Sequence, residues 1–172
     1  MKQTPSQTVG PYFAYSLTPE QYKYNFTQLV DNLMVDSIVE PHVITIIGKV
    51  FDGENVVIPD AIIEIWDAKN QLFGRFGTGT DPEKRFVFQT IKPESIDGQA
   101  PHLSVIIFMR GQLIQSYTRI YFSDEETLNK QDETLNSVPA DRKYTLIAQK
   151  NGHVFTFNIN MQGDNETIFF EI

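Results

Sequence analysis

The residue best suited to do chemistry is His102, in the run Ala100-Pro101-His102-Leu103-Ser104-Val105. This run reads as a buried strand, and in a strand residues i and i+2 point to one face. A His-x-His pair there would aim two imidazoles at one metal ion. The second position holds Ser104 instead, a poor ligand for a transition metal. One imidazole alone does not hold a metal. Of the three histidines, His42 stands at a strand start and His153 after a turn, and both read as surface residues. The densest carboxylate cluster, Asp124-Glu125-Glu126, fits the negative first turn of a helix better than a metal cradle.

Arg119 is the second candidate. It lies in Tyr117-Thr118-Arg119-Ile120-Tyr121-Phe122, a strongly β segment in which alternation puts Tyr117, Arg119 and Tyr121 on one face. A guanidinium between two phenols could clamp the carboxylate of an aromatic ligand. A sheet-face arginine paired with a neighbouring acid is the other reading, and the residues alone favour it. No Gly-x-Ser-x-Gly occurs. Gly77-Thr78-Gly79 lacks a phosphate-binding sequel and reads as a loop.

Composition narrows the function classes. The net charge is −8 with no basic block, which argues against a nucleic-acid partner. The absence of cysteine removes disulfides, thiolate ligands and a Cys nucleophile together, and is compatible with a cytoplasmic location. Met1–Gly10 is polar, so no signal peptide is expected. No apolar run nears the roughly 18 residues of a membrane span. With 172 residues, 41% of them hydrophobic, the chain fits a single globular core.

These residues must be held by a β framework. Residues 1–41 are irregular, punctuated by Pro5, Gly10, Pro11, Pro19 and Pro41, and read as a docking arm. Within them Thr18 is expected to cap a short helix with Pro19 in its first turn. From His42 onward the pattern turns to strands: Val43–Phe51, Ala61–Asp67, Arg85–Thr90, Leu103–Arg110, Leu113–Phe122, Tyr144–Gln149, His153–Asn160 and Thr167–Ile172. Gly111-Gln112 and Asn151-Gly152 read as hairpin connections. A helix is expected over Asp124–Lys130, with Ser123 as its cap and Glu126 completing a capping box. A further turn is expected at Pro139–Lys143. The expected architecture is all-β, an antiparallel β-sandwich over 42–172 with an irregular N-terminal arm and one or two short helices.

Thr4-Pro5-Ser6-Gln7-Thr8-Val9-Gly10-Pro11-Tyr12 resembles the N-terminal signature of the intradiol ring-cleaving dioxygenases, and of their alpha-type subunits in particular. The resemblance continues in order through Gly48–Gly53, Ile63–Trp66, Phe73–Arg75, Thr90–Pro93, Ala100–His102, Ile107–Gly111, Tyr117–Glu125 and Gln162–Ile172. It implies the same sandwich fold and a heteromer. In such enzymes a catalytic beta subunit binds Fe(III) through two tyrosines and a His-x-His pair, and the alpha subunit has lost the iron site. Here His102 stands at the first histidine position and Ser104 at the second. The tyrosines expected between Trp66 and Gly74, and between Pro93 and Pro101, are absent. The resemblance therefore implies no metal on this chain, with His102 a vestige. It also implies that Gly10, Pro11 and Arg119 reach a substrate pocket at the alpha–beta boundary, with Tyr12 a further candidate. The implied reaction opens the ring of 3,4-dihydroxybenzoate with O2. The segment between Trp66 and Gly74 is shorter than is usual in alpha-type chains, which bears on assembly. The rival reading is a sandwich that binds an aromatic acid or another protein without a dioxygenase partner. A homomeric dioxygenase with relocated ligands is disfavoured by three scattered histidines.

Overall fold

Strict alternation in β1 (Val43–Phe51) sets the frame: Ile44, Ile46 and Val50 point into the core while Thr45, Ile47 and Lys49 do not. The computed structural model describes residues 10–36 and 42–171, with Pro11 and Tyr12 described in backbone only. Eight more strands follow among these residues: β2 (Ile62–Asp67), β3 (Leu72–Gly77), β4 (Arg85–Ile91), β5 (His102–Phe108), β6 (Ser116–Phe122), β7 (Ile147–Asn151), β8 (Val154–Thr156) and β9 (Ile159–Asn160). Their hydrogen-bonded order is β3-β2-β5-β6-β7-β8-β1-β4, with β9 beside β1.

The path folds over on itself where β6 and β7 share only two pairs, Tyr121↔Ile147 and Phe122↔Ala148. One core lies between the halves. Ile63, Ile65, Leu103, Val105 and Ile107 enter it from one side, and Ile46, Phe86, Phe88 and Phe155 from the other. Gly48 is required where β1 meets the chain between β8 and β9, since a Cβ there would lie 1.7 Å from the Phe157 carbonyl oxygen.

The sandwich is not purely antiparallel. β1 pairs in parallel with β8 and β9, and β6 with β7. Hairpin neighbours must run antiparallel, but strands joined by long crossovers are free to pair either way. Strand β3 was not foreseen, since Phe73-Gly74-Arg75 carries a glycine and little alternation. The residues Tyr144–Leu146 form part of a 3-10 turn (Lys143–Leu146) rather than a strand. The preceding turn is present, with Arg142 N donating to Pro139 O at 2.9 Å. The closing residues 167–171 make no strand ladder. They attach through single bonds, such as Phe170 N to Tyr117 O at 2.8 Å.

The capping expectations need correction. Thr18 Oγ1 donates back to Ala14 O at 2.8 Å, closing α1 (Pro11–Leu17) instead of capping the 3-10 turn Pro19–Tyr22. Ser123 Oγ accepts from Lys150 N at 3.0 Å, tying the loop to β7, and α2 (Glu126–Asn129) starts without a side-chain cap. A further helix, α3 (Glu133–Ser137), is capped by Asp132, whose Oδ1 accepts from Leu135 N at 2.7 Å. It covers a second small core of Tyr121, Leu135, Val138 and Leu146.

The arm closes the sheet. Asp31 O accepts from Arg75 N of β3, Asn32 O accepts from Gln89 N of β4, and Met34 N donates to Gln89 O, each at 2.9 Å. One short segment thus covers both terminal strands, whose edges would otherwise stand unpaired. Met34 also fills the space over Gly74, where a Cβ would meet its side chain at 2.8 Å.

Candidate active-site face

Register fixes which side chains share the outer face of β3, β2, β5 and β6. One cross-strand row is Phe73, Trp66, Ser104, Arg119, and the next is Arg75, Glu64, Ile106, Tyr117. A third row pairs His102 with Tyr121. Between the aromatics and Ser104 lies an open groove of about 300 Å³, lined by Trp66, Phe73, Ile106 and Tyr117 among others. At the far end of the same strand face α1 packs down, with the Phe13 ring 5.6 Å from that of Phe108. Arg75 and Glu64 are paired at 2.6 Å, so that row presents no free charge.

Arg119 is held by neutral groups, not by an acid. Its Nη1 donates to Gln99 Oε1 at 2.8 Å and to the Tyr121 hydroxyl at 3.3 Å, and its guanidinium carbon lies 5.9 Å from the Phe170 ring centroid. The expected acid partner is absent among the described residues, so the guanidinium keeps its full charge for a ligand. Tyr121 does share the face with Arg119, but it is fully buried beneath α3, whereas Tyr117 is part-exposed.

His102 is half-buried, and its Nδ1 contacts Ala100 O at 2.9 Å. A carbonyl can only accept, so Nδ1 carries the proton. Burial holds the imidazole below its ordinary pKa. The Arg119 charge adds to this, and the bond to Ala100 opposes it. A ferric centre does not fit this face. It offers one imidazole, already bonded through Nδ1, beside Ser104 and Trp66. Among the described residues no group of three or more His, Asp or Glu side chains lies close enough to hold a metal.

The structure brings His102, Ser104 and Arg119 together on adjoining strands. Gly10 is not bonded to them. It is the N-cap of α1, exposed, and a Cβ on it would meet nothing within 4 Å. The Pro11 and Tyr12 side chains lie outside the described ones. Sequence reasoning missed Gln99 and Asp132. The signal for Gln99 was Asp97-Gly98: both have positive φ (51° and 77°), and Gln99 N closes the turn on Ile96 O. That is the Asp-Gly geometry of a type I′ turn.

No family model matches the chain. Among curated proteins it is similar to the protocatechuate 3,4-dioxygenase alpha chain of Burkholderia cepacia, with 41% identity over 100% of this chain and 98% of the relative. It is also similar to the alpha chain of that name from Pseudomonas putida, with 31% identity over 99% and 97%. The first alignment runs to 198 positions, so that relative carries segments this chain lacks. Among solved structures, an intradiol ring-cleavage dioxygenase from Tetranychus urticae has the same fold, with TM-score 0.60, 13% identity and coverage of 83% of this chain and 92% of its own. With relatives of this identity and extent, the chain belongs to the protocatechuate 3,4-dioxygenase alpha-chain family.

Proposed function

We propose that this chain is the iron-free alpha subunit of a heteromeric, cytoplasmic protocatechuate 3,4-dioxygenase. The enzyme cleaves the ring of 3,4-dihydroxybenzoate with O2 to 3-carboxy-cis,cis-muconate. Ring opening is the chemistry of a partner beta subunit and its Fe(III), to which this chain gives no ligand. What this chain adds is position and charge. Arg119 receives the substrate carboxylate, while Gly10, Pro11 and Tyr12 of the arm (1–41) line the pocket from the other side of the boundary. The sandwich (42–172) carries Arg119.

The observation that carries this reading is a guanidinium on the vestigial face, oriented by an amide and a phenol and unpaired with any acid among the described residues. Gly10 supports it by leaving room for a close approach. The test is Arg119→Ala in the reconstituted complex. A charge-assisted hydrogen bond is worth roughly 1.5–3 kcal/mol, so KM for protocatechuate is expected to rise about tenfold to a hundredfold, and KM for unsubstituted catechol far less. Equal losses on both substrates would make Arg119 a structural residue.

A further inference from the structure

Asp132 is wholly buried and forms the hub of a chain of contacts that ends on Arg119. Its Oδ2 accepts from Ala100 N at 2.8 Å, which fixes the backbone next to Gln99. Its Oδ1 accepts from the Tyr121 hydroxyl at 3.1 Å and from Leu135 N at 2.7 Å. A carboxylate cannot donate, so the phenol proton points at Asp132 and a lone pair of the same oxygen is left facing Arg119. Burial pushes the Tyr121 phenol up to about 12, so it remains a neutral hydroxyl at working pH. Gln99 is delivered by the Ile96–Gln99 turn and accepts from the same nitrogen, Nη1. The two acceptors thus converge on one corner of the guanidinium. Nε and Nη2 carry no hydrogen bond among the described residues.

We infer that Gln99 and Tyr121, both anchored through Asp132, are positioning residues that orient Arg119, holding Nη1 so that the free edge of the guanidinium is presented to the carboxylate of an aromatic acid. Fixing one corner of a planar fork removes the freedom that a bidentate carboxylate contact would otherwise have to quench on binding. None of the three touches the ligand. The inference rests on the Arg119 reading above, and it predicts an effect on carboxylate selectivity alone.

The experiment uses the reconstituted alpha/beta complex and two competitive inhibitors, 4-hydroxybenzoate and phenol, which differ by the carboxylate. Arg119→Ala is the control for the underlying reading and should abolish the preference for 4-hydroxybenzoate. Gln99→Leu and Tyr121→Phe should each weaken 4-hydroxybenzoate about threefold to tenfold, the range for having to order one loosened side chain on binding, and leave phenol binding unchanged. The same variants should raise KM for protocatechuate with kcat held within about twofold, because binding is lost equally in ground and transition states. A structural defect would move both inhibitors and kcat together. If Arg119→Ala loses the preference while Gln99→Leu and Tyr121→Phe keep it, the positioning inference is overturned and the Arg119 reading stands. If Arg119→Ala keeps the preference, both fall. Gln99 lies in a part-exposed turn, so Gln99→Leu decides the matter even if Tyr121→Phe fails to fold.

Discussion

His102 sits neutral beside a permanent cation, and this gives the protein a pH dependence of definite sign. Its folded pKa lies below the ordinary 6.5 because burial and the Arg119 charge oppose protonation. Between that lowered value and 6.5 the unfolded chain binds the proton more readily than the folded one. Stability from this group is therefore present above pH 6.5 and lost as pH falls toward the folded value. Thermal unfolding of His102→Gln compared with the parent chain should show a smaller drop in Tm on acidification through that window. An unchanged pH slope would mean that the imidazole ionises freely in the fold. Tyr121 acts at the other end of the scale. Its phenol ionises near 12 rather than 10.0, so its contribution is complete below pH 10 and is lost as pH rises toward 12. The ultraviolet tyrosinate titration of Tyr121→Phe should lack one of the late phenols of the parent chain.

At the scale of elements, two sites hold neighbouring strands together. Gly48 in β1 faces the Phe157 backbone, and neither main chain can yield, so Gly48→Ala should cost at least about 1–3 kcal/mol in denaturant unfolding. Asp31–Met34 spans the terminal strands β3 and β4. A chain lacking residues up to Met34 should melt earlier and self-associate on size-exclusion chromatography, because both edges are then open for pairing. Most strands were readable from β-branched runs and turn signals. The register that aligns Ser104 with Arg119 was not, because cross-strand pairing depends on which strands meet. The caps failed for a related reason. Ser123 and Thr18 have capping chemistry, but Ser123 Oγ accepts from the distant Lys150 N, and Thr18 turns its hydroxyl back to the local Ala14 carbonyl. Asp132 was hidden because an acid before Glu133 looks like ordinary helix-start charge. Its burial and its grip on Ala100 exist only once β5 and α3 meet.

For the molecule as a whole, the ligand inventory sets the expectation. The chain purified alone should contain no stoichiometric iron by elemental analysis and should show no tyrosinate–iron absorption band. A coloured protein with about one iron per chain would contradict the single-imidazole argument. Gln99 and Tyr121 belong to the same chain as Arg119, so these two bonds need no partner subunit to form. The shared strand face of Tyr117, Arg119 and Tyr121 was legible from their alternation. The aromatics beside it were not, since Trp66 and Phe73 come next to Tyr117 and Arg119 only across β5.

The placement of β1 has a kinetic consequence. This early strand is flanked by β4 on one side and by β8 and β9 on the other, and Lys49 N reaches Asn158 Oδ1 across 109 positions. During synthesis β1 and β4 can pair soon, but the opposite edge of β1 stays bare until almost the last residues emerge. The entropy of closing so long a loop is spent before those contacts form, which places such topologies among slow folders, at about milliseconds to seconds or longer. The nascent chain therefore has a long interval with a sticky β-branched edge exposed, and the yield of native protein should depend on chain concentration and temperature during refolding more steeply than its equilibrium stability does.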